Sequence, residues 1–91
     1  MKIKYFEWDE GNVLHLELKH GITPQETEEV IALMPLFGKT RKGHYSAFGR
    51  TRAGRLLVVI FGMKPAGCTR VITAWDMKKG ERRYYKKQIG E

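Results

Sequence analysis

The start of the chain carries the marks of a short strand followed by a capped helix. Residues 2–7 alternate charged and large apolar side chains, which predicts a first strand. Asp9 is suited to cap a helix over about residues 10–19, and Gly21 follows as the left-handed residue that ends it.

A second helix start follows almost at once. Thr23-Pro24-Gln25-Glu26 is a capping box with proline at the first helical position. The helix that begins there must end near Pro35, because the residue before a proline disfavours helical geometry. Residues 38–43 then predict a basic connector between two glycines.

The pattern changes to strands after Gly43. Residues 44–51 and 55–61 predict two strands joined by a short hairpin turn at residues 52–54. Residues 56–61 are apolar at every position, which is typical of a central strand covered on both faces.

The last third predicts one more strand and a final helix. Residues 62–67 have turn composition, and residues 68–74 are rich in β-branched residues. Asp76 is a candidate cap for a helix over about residues 77–88. The predicted order is therefore β-α-α-β-β-β-α, a single α+β domain over residues 1–91 with a small antiparallel sheet.

Composition narrows the function classes. The longest apolar run, Leu56 to Phe61, is far shorter than the roughly 20 residues that span a bilayer. No secretory signal or lipidation motif is visible, so we expect a cytoplasmic protein that does not bind membranes. The single Cys68 excludes an internal disulfide and a cysteine-based zinc site. Three scattered histidines without paired carboxylates predict no metal site, and we expect no cofactor.

Charge is distributed unevenly. The protein carries a formal net charge of +7, but residues 1–38 sum to −4 and residues 39–91 to +11. A segment that basic favours nucleic acid or an acidic protein as its partner.

The first predicted helix offers two faces. Leu14, Leu16 and Leu18, with Val13, cover one broad arc, while Asn12, His15 and Lys19 share the opposite side. Asn, His and Lys together could hold a phosphate and move a proton, or form an ordinary solvated face.

His20 lies at the end of that helix. The negative end of the helix dipole stabilises an imidazolium there, which suits a general acid, whereas a cap on the last carbonyls is the alternative. Arg50, Arg52 and Arg55 bracket the predicted hairpin. Arg70 follows on the next strand, and with few carboxylates in this half we expect it to bind an anion rather than an internal partner.

Basic and aromatic residues are interleaved on the last predicted helix, residues 78–87. Single-stranded RNA is bound by this combination, cations for phosphates and rings for bases. The alternative is an amphipathic helix that packs one tyrosine on the sheet.

Several motifs resemble those of the BrnT-type toxins, in the same order and over about residues 6–85. They are Phe6-Glu7-Trp8-Asp9, Asn12, Lys19-His20-Gly21-Ile22-Thr23, Glu28-Glu29-Val30, Gly49-Arg50-Thr51, Gly54-Arg55-Leu56, Arg70-Val71-Ile72-Thr73-Ala74 and Glu81-Arg82-Arg83-Tyr84. The resemblance implies a RelE-like fold and a metal-independent endoribonuclease that inhibits translation. It also implies a ribbon-helix-helix antitoxin from the same operon, with a homodimer or a heterotetramer as the assembly.

Candidate roles follow from what metal-free RNA cleavage needs. His20 is the candidate acid or base, Lys19 and Arg50 are candidate phosphate clamps, and Arg70 is the candidate transition-state stabiliser. Tyr84 is expected to orient the substrate. The expected RNA-binding residues are Arg55, Trp75, Lys79, Arg82 and Arg83.

Trp75 departs from the family pattern, which usually continues Ile-Ser/Thr-Ala-Arg. Tryptophan can stack on a base but cannot donate two hydrogen bonds to a phosphate. The alternative function is therefore a catalytically weakened or non-enzymatic basic module that binds an acidic antitoxin or nucleic acid.

Overall fold

The computed structural model describes residues 3–91, which form one mixed sheet flanked by helices on both faces. The elements are β1 (Tyr5–Phe6), α1 (Glu10–His20), α2 (Pro24–Ala32), β2 (Leu36–Lys39), β3 (Tyr45–Arg50), β4 (Leu56–Lys64), β5 (Cys68–Asp76) and α3 (Lys79–Gln88). A 3-10 turn over Pro65–Gly67 joins β4 to β5. Within residues 3–91 no helix is long and apolar enough to cross a membrane.

The sheet has the order β1-β5-β4-β3-β2. The strands β2 to β5 pair antiparallel with their neighbours, whereas β1 pairs parallel with β5. The α+β class is confirmed. The sheet is mixed rather than purely antiparallel, because β1 meets β5 only after the chain has passed through α1, α2 and the other strands.

The predicted order lacks the strand β2. The observed order of helices and strands is β-α-α-β-β-β-β-α. It overlaps the stretch that was predicted as a basic connector, since Gly38 and Lys39 pair with Ser46 and Tyr45 of β3. Four residues with a glycine and no alternation give too weak a pattern to recognise as a strand. Conversely, the first predicted strand is only two residues long, and its first predicted residue, Lys2, lies outside the described residues.

The central strand β4 is covered on both faces, as its apolar run predicts. Leu57, Val59 and Phe61 are buried against Leu16 of α1 and Val30 of α2. On the other face, Val58 is buried against Tyr85 of α3 and against Met77, which lies between β5 and α3. Alternate residues of one strand thus serve two cores, and α1 and α2 lie on the opposite side of the sheet from α3.

The buried side of α1 takes one residue from each of its two faces. Asn12 and Leu16 are buried, while Leu18 is 81% exposed and Leu14 is 41% exposed. Asn12 can be buried because its amide nitrogen donates to the carbonyls of Glu7 and Val71, at 3.1 and 3.3 Å, and its amide oxygen accepts from the Asp9 backbone. A fully hydrogen-bonded amide therefore turns the polar side of the helix towards the sheet.

Asp76 does not cap the last helix. The helix α3 begins at Lys79, with Lys78 as its N-cap, and Glu81 accepts a hydrogen bond from the Lys78 backbone at 2.8 Å. Both oxygens of the Asp76 carboxylate instead accept from one edge of the Arg55 guanidinium, at 2.8 and 2.9 Å. A bidentate arginine–carboxylate pair is stronger than a single cap hydrogen bond.

Candidate active site

An irregularity in the pairing of β5 shapes the part of the strand that faces α1. In the β4–β5 register Ile60 faces Thr73 and Phe61 faces Val71, so that Ile72 is an extra residue on β5. An extra residue of this kind forms a β-bulge, which re-aims the neighbouring side chains. The hydroxyl of Thr73 points to α1, where it meets two histidines.

His15 and His20 both contact the Thr73 hydroxyl. Its oxygen lies 3.0 Å from Nε2 of His15 and 3.3 Å from Nε2 of His20. The two imidazole rings are 5.4 Å apart between centroids and meet edge to face at 60°. All three side chains are half-buried, so the cluster is held in place and still open to a ligand.

The hydrogen-bonding arithmetic makes the two imidazoles different. A threonine hydroxyl carries one hydrogen, so it can donate to only one of the two Nε2 atoms. For both contacts to be hydrogen bonds, the other Nε2 must carry a hydrogen and donate it to the threonine oxygen. When both contacts are hydrogen bonds, one Nε2 therefore accepts from the hydroxyl and the other Nε2 donates to it.

Charged groups surround the end of α1 beside His20. Arg55 donates to Asp76, to Glu26 at 3.2 Å and to the carbonyl of Gly21 at 3.0 Å. The hydrogen bond from Arg55, together with its charge and that of nearby His20, lowers the pKa of Asp76. Asp76 therefore stays ionised close to the cluster.

Two of the predicted catalytic residues lie on α1, at the cluster. His20 is part of it, and Lys19, the residue before it, is exposed at the same end of the helix. Arg70 lies at the opposite end of α1, where its guanidinium pairs with Glu7 at 3.1 Å and with Asp9 at 2.7 Å. The expected anion at Arg70 is thus supplied by the protein's own carboxylates.

The other two predicted catalytic residues lie beyond the sheet, on the side of α3. The guanidinium of Arg50 lies over the Tyr85 ring, 5.6 Å from its centroid, and pairs with Glu91 at 3.0 Å. Tyr84 is half exposed and its ring packs edge to face on Phe48, 5.7 Å away. The structure does not bring Arg50 and Tyr84 next to His20.

Of the residues predicted to bind RNA, three are exposed on α3, and the other two make their hydrogen bonds within the protein. Lys79, Arg82 and Arg83 are exposed on α3, although Arg82 also donates to the Met77 carbonyl at 2.6 Å. Trp75 is half-buried, and its indole nitrogen donates to Glu81 at 3.1 Å, so it holds the start of α3. The remaining one, Arg55, makes its hydrogen bonds inside the protein, as described above.

Sequence reasoning did not select Thr73, and it left His15 open between a phosphate-binding, proton-moving group and an ordinary solvated face. His15 stands out only once the polar side of α1 is known to face the sheet, which the buried Asn12 decides. Thr73 depends on the bulge at Ile72, for which the β-branched run Val71-Ile72-Thr73 gives no signal. Thr73 belongs to the motif Arg70-Val71-Ile72-Thr73-Ala74, but the family resemblance did not assign it a function.

A shallow cleft of about 290 Å³ lies elsewhere, between β1 and α2. Glu28 and Glu29 line it and are already engaged, by the Trp8 indole at 2.6 Å and by the Arg52 backbone at 3.0 Å. Its acidic lining does not suit a polyanion. Among residues 3–91 no three His, Cys, Asp or Glu side chains gather as they would around a metal ion.

Comparison with known proteins identifies the fold. No protein-family model matches the sequence, and no curated protein sequence is similar to it. Among solved structures, the Brucella abortus ribonuclease toxin BrnT superposes on 87% of this chain and 99% of its own, with a TM-score of 0.66. The fold is that of BrnT. At 22% sequence identity, the likeness to BrnT establishes the architecture, and the site must be argued from the residues of this chain.

Proposed function

We propose that the protein is a metal-independent endoribonuclease toxin of a type II toxin–antitoxin system. The observation that carries the proposal is the half-buried pair His15 and His20 on one hydroxyl of β5. The BrnT architecture, shared with a protein described as a ribonuclease toxin, supports it. The charge of +11 over residues 39–91 supports RNA as the substrate.

The chemistry needs one base and one acid. The base removes the proton from a ribose 2′-hydroxyl, whose oxygen attacks the adjacent phosphorus. The bond from phosphorus to the 5′-oxygen breaks, and the acid gives that oxygen a proton. The products are a 2′,3′-cyclic phosphate and a 5′-hydroxyl.

The histidine pair supplies both groups. The imidazole whose Nε2 accepts from Thr73 can act as the base, and the other imidazole can act as the acid in its protonated form. We assign the acid to His20, the last residue of α1, which lies next to the exposed Lys19. His15 is then the base, and Thr73 keeps the two rings within reach of one phosphodiester.

The remaining predicted residues divide between phosphate contact and RNA binding. Lys19, exposed beside His20, is placed to neutralise charge on the phosphate. Lys79, Arg82 and Arg83 would contact RNA beyond the cleaved bond, from α3. Arg50, Arg70 and Tyr84 make internal contacts, so we give them no part in the chemical step.

A ribbon-helix-helix antitoxin is the partner we propose, in a heterotetramer or with a toxin homodimer. The basic half of the chain suits an acidic protein that would compete with RNA for the same surface.

The test is an RNA cleavage assay in EDTA with purified protein. We expect the wild type to cut a mixed-sequence RNA and His20→Gln to be slower by roughly 10²–10⁴-fold. An unchanged rate in His20→Gln would show that this cluster does not cleave RNA. A silent wild type with an active Trp75→Arg variant would instead support the weakened module, since Trp75 now binds Glu81 where the family pattern has arginine.

A further inference from the structure

The guanidinium of Arg55 joins three separate elements at the end of α1. It holds both oxygens of Asp76 on β5, at 2.8 and 2.9 Å, with Nε and Nη2. Its Nη1 donates to the Gly21 carbonyl at 3.0 Å and to both oxygens of Glu26 in the first turn of α2, at 3.2 Å. One side chain thus connects β5, α2 and the residue that ends α1.

Two of those partners lie close in sequence to residues of the histidine cluster. Gly21 directly follows His20, and it adopts the left-handed conformation that ends α1, with φ of 61°. Asp76 lies beyond Thr73 on the same strand. The Arg55 hydrogen bonds therefore connect the residue next to His20 to the strand that carries its hydrogen-bonding partner.

His15 is held by different contacts. It lies more than one turn before His20, between the buried residues Asn12 and Leu16. Asn12 ties that part of α1 to the Val71 carbonyl of β5 at 3.3 Å. The position of His15 against Thr73 thus has support that does not depend on Arg55.

We propose that Arg55 is a positioning residue that sets His20, and not His15, against Thr73. Its role in catalysis rests on the proposed ribonuclease function, but its effect on the position of His20 does not. Arg55 fits this role better than RNA binding, because its guanidinium is about one-third exposed and already meets two carboxylates and a carbonyl. Without these hydrogen bonds the end of α1 would be free to move away from β5.

The test compares Arg55→Gln with Arg52→Gln. Arg52 lies in the same hairpin, and its substitution removes the same charge. Within residues 3–91, however, its guanidinium makes no hydrogen bond. Asp76→Asn removes the charged partner instead of the arginine, so it also answers the question if Arg55→Gln does not fold. Each variant is measured for its melting temperature, for the imidazole NMR resonances of both histidines across pH, and for RNA cleavage in EDTA.

We expect Arg55→Gln to move the His20 resonances and their change with pH, and to leave those of His15 as in the wild type. We expect kcat for RNA to fall by about 10- to 100-fold with KM within about twofold, since misplacing a catalytic group by about 1 Å costs up to 10²-fold. Asp76→Asn should act in the same direction, and Arg52→Gln should change neither spectrum nor kcat.

Two results would overturn the positioning role. One is a folded Arg55→Gln protein in which His20 is unchanged, and the other is an equal change at both histidines, which would indicate general loosening. A wild type that does not cleave RNA would refute the ribonuclease proposal alone, because the NMR comparison still decides whether Arg55 holds His20.

Discussion

At the scale of single residues, the Thr73 hydroxyl is the group that gives the two imidazoles different tasks. Its oxygen lies 3.0 and 3.3 Å from their Nε2 atoms, and it can donate to only one. Both hydrogen bonds run from side chain to side chain, so they can be removed without touching the backbone of β5.

Replacing Thr73 with valine tests this directly. Thr73→Val keeps the β-branched shape and removes the oxygen, so we expect RNA cleavage to slow by about tenfold while the fold is kept. Thr73→Ser, which retains the hydroxyl, should cleave within about twofold of the wild type. Cleavage by Thr73→Val at the wild-type rate would show that the hydroxyl does not organise the histidines.

The two histidines should also behave as one unit. If one is the acid and the other the base of the same step, each single change to glutamine should cost roughly 10²–10⁴-fold, and the double variant little more than the worse single variant. The measurement is kcat of each variant. A reduction in the double variant equal to the product of the two single reductions would mean that the two histidines act in separate steps.

The sequence was informative about single residues where local rules apply. The position of His20 at the end of a helix could be predicted from Gly21, and both capping boxes, at Asp9 and Thr23, are visible or partly visible in the sequence. The partners of Arg55 and Arg70 could not be predicted, because they come from carboxylates 21 to 63 positions away along the chain. Long-range ion pairs leave no periodic pattern.

At the scale of elements, an arginine binds each end of α1: Arg55 donates to the carbonyl of Gly21, and Arg70 binds a carboxylate. Arg55 holds its last turn, as argued above, and Arg70 of β5 binds the N-cap residue Asp9 at 2.7 Å. Lys64 of β4 adds a second cation to Glu7, at 2.8 Å. The hydrogen bond from Lys64 lowers the pKa of Glu7, and that from Arg70 lowers the pKa of Asp9.

The lowered pKa values of Glu7 and Asp9 predict that these carboxylates stabilise the fold at neutral pH and lose this effect in acid. Carboxylates whose pKa is lower in the folded state stabilise it above their unfolded pKa, about 4, and lose that contribution as the pH falls through the folded value. We therefore expect Arg70→Gln to melt at a lower temperature than the wild type at pH 7, and the gap to narrow below about pH 4.

Thermal melts at neutral and at acidic pH check this expectation, with Arg41→Gln as a control of equal charge in an exposed loop. A gap that is the same at both pH values would show that Glu7 and Asp9 do not stabilise the protein through Arg70.

Among the elements, sequence patterns located the three helices, a shorter β1 and the strands β3 to β5, but missed β2. The apolar run of β4 and the capping residues Asp9 and Thr23 are local signals, and they indicated the right elements, whereas Asp76 did not. The orientation of α1 was not predictable, because burying Asn12 depends on the carbonyl of Val71, 59 positions away. An arc of leucine and valine on a helix does not outweigh such tertiary interactions.

At the scale of the whole molecule, the charge asymmetry separates two sides of the sheet. Residues 1–38, which include α1 and α2, sum to −4, whereas α3 is strongly basic. On the proposed function, an exposed basic helix beyond the histidine cluster would attract RNA from a distance and hold it through phosphates.

Removing two charges from α3 tests that role. For Lys79→Gln with Arg83→Gln we expect weaker RNA binding and a shallower salt dependence, with the slope of log K against log salt reduced by about 1.4, or about 0.7 for each phosphate that is no longer neutralised. Arg41→Gln with Lys42→Gln, in the exposed loop after β2, is the matched control. Equal slopes of log K against log salt in the two double variants would show that RNA binding depends on the number of positive charges and not on their place on α3.

The most direct measurement is the chemistry of the RNA ends. RNA incubated with the wild type in EDTA should give fragments with 5′-hydroxyl and 2′,3′-cyclic phosphate ends, and His15→Gln with His20→Gln should give almost none. Fragments that carry 5′-phosphates, or equal cleavage by the double variant, would contradict acid–base catalysis by the histidine pair.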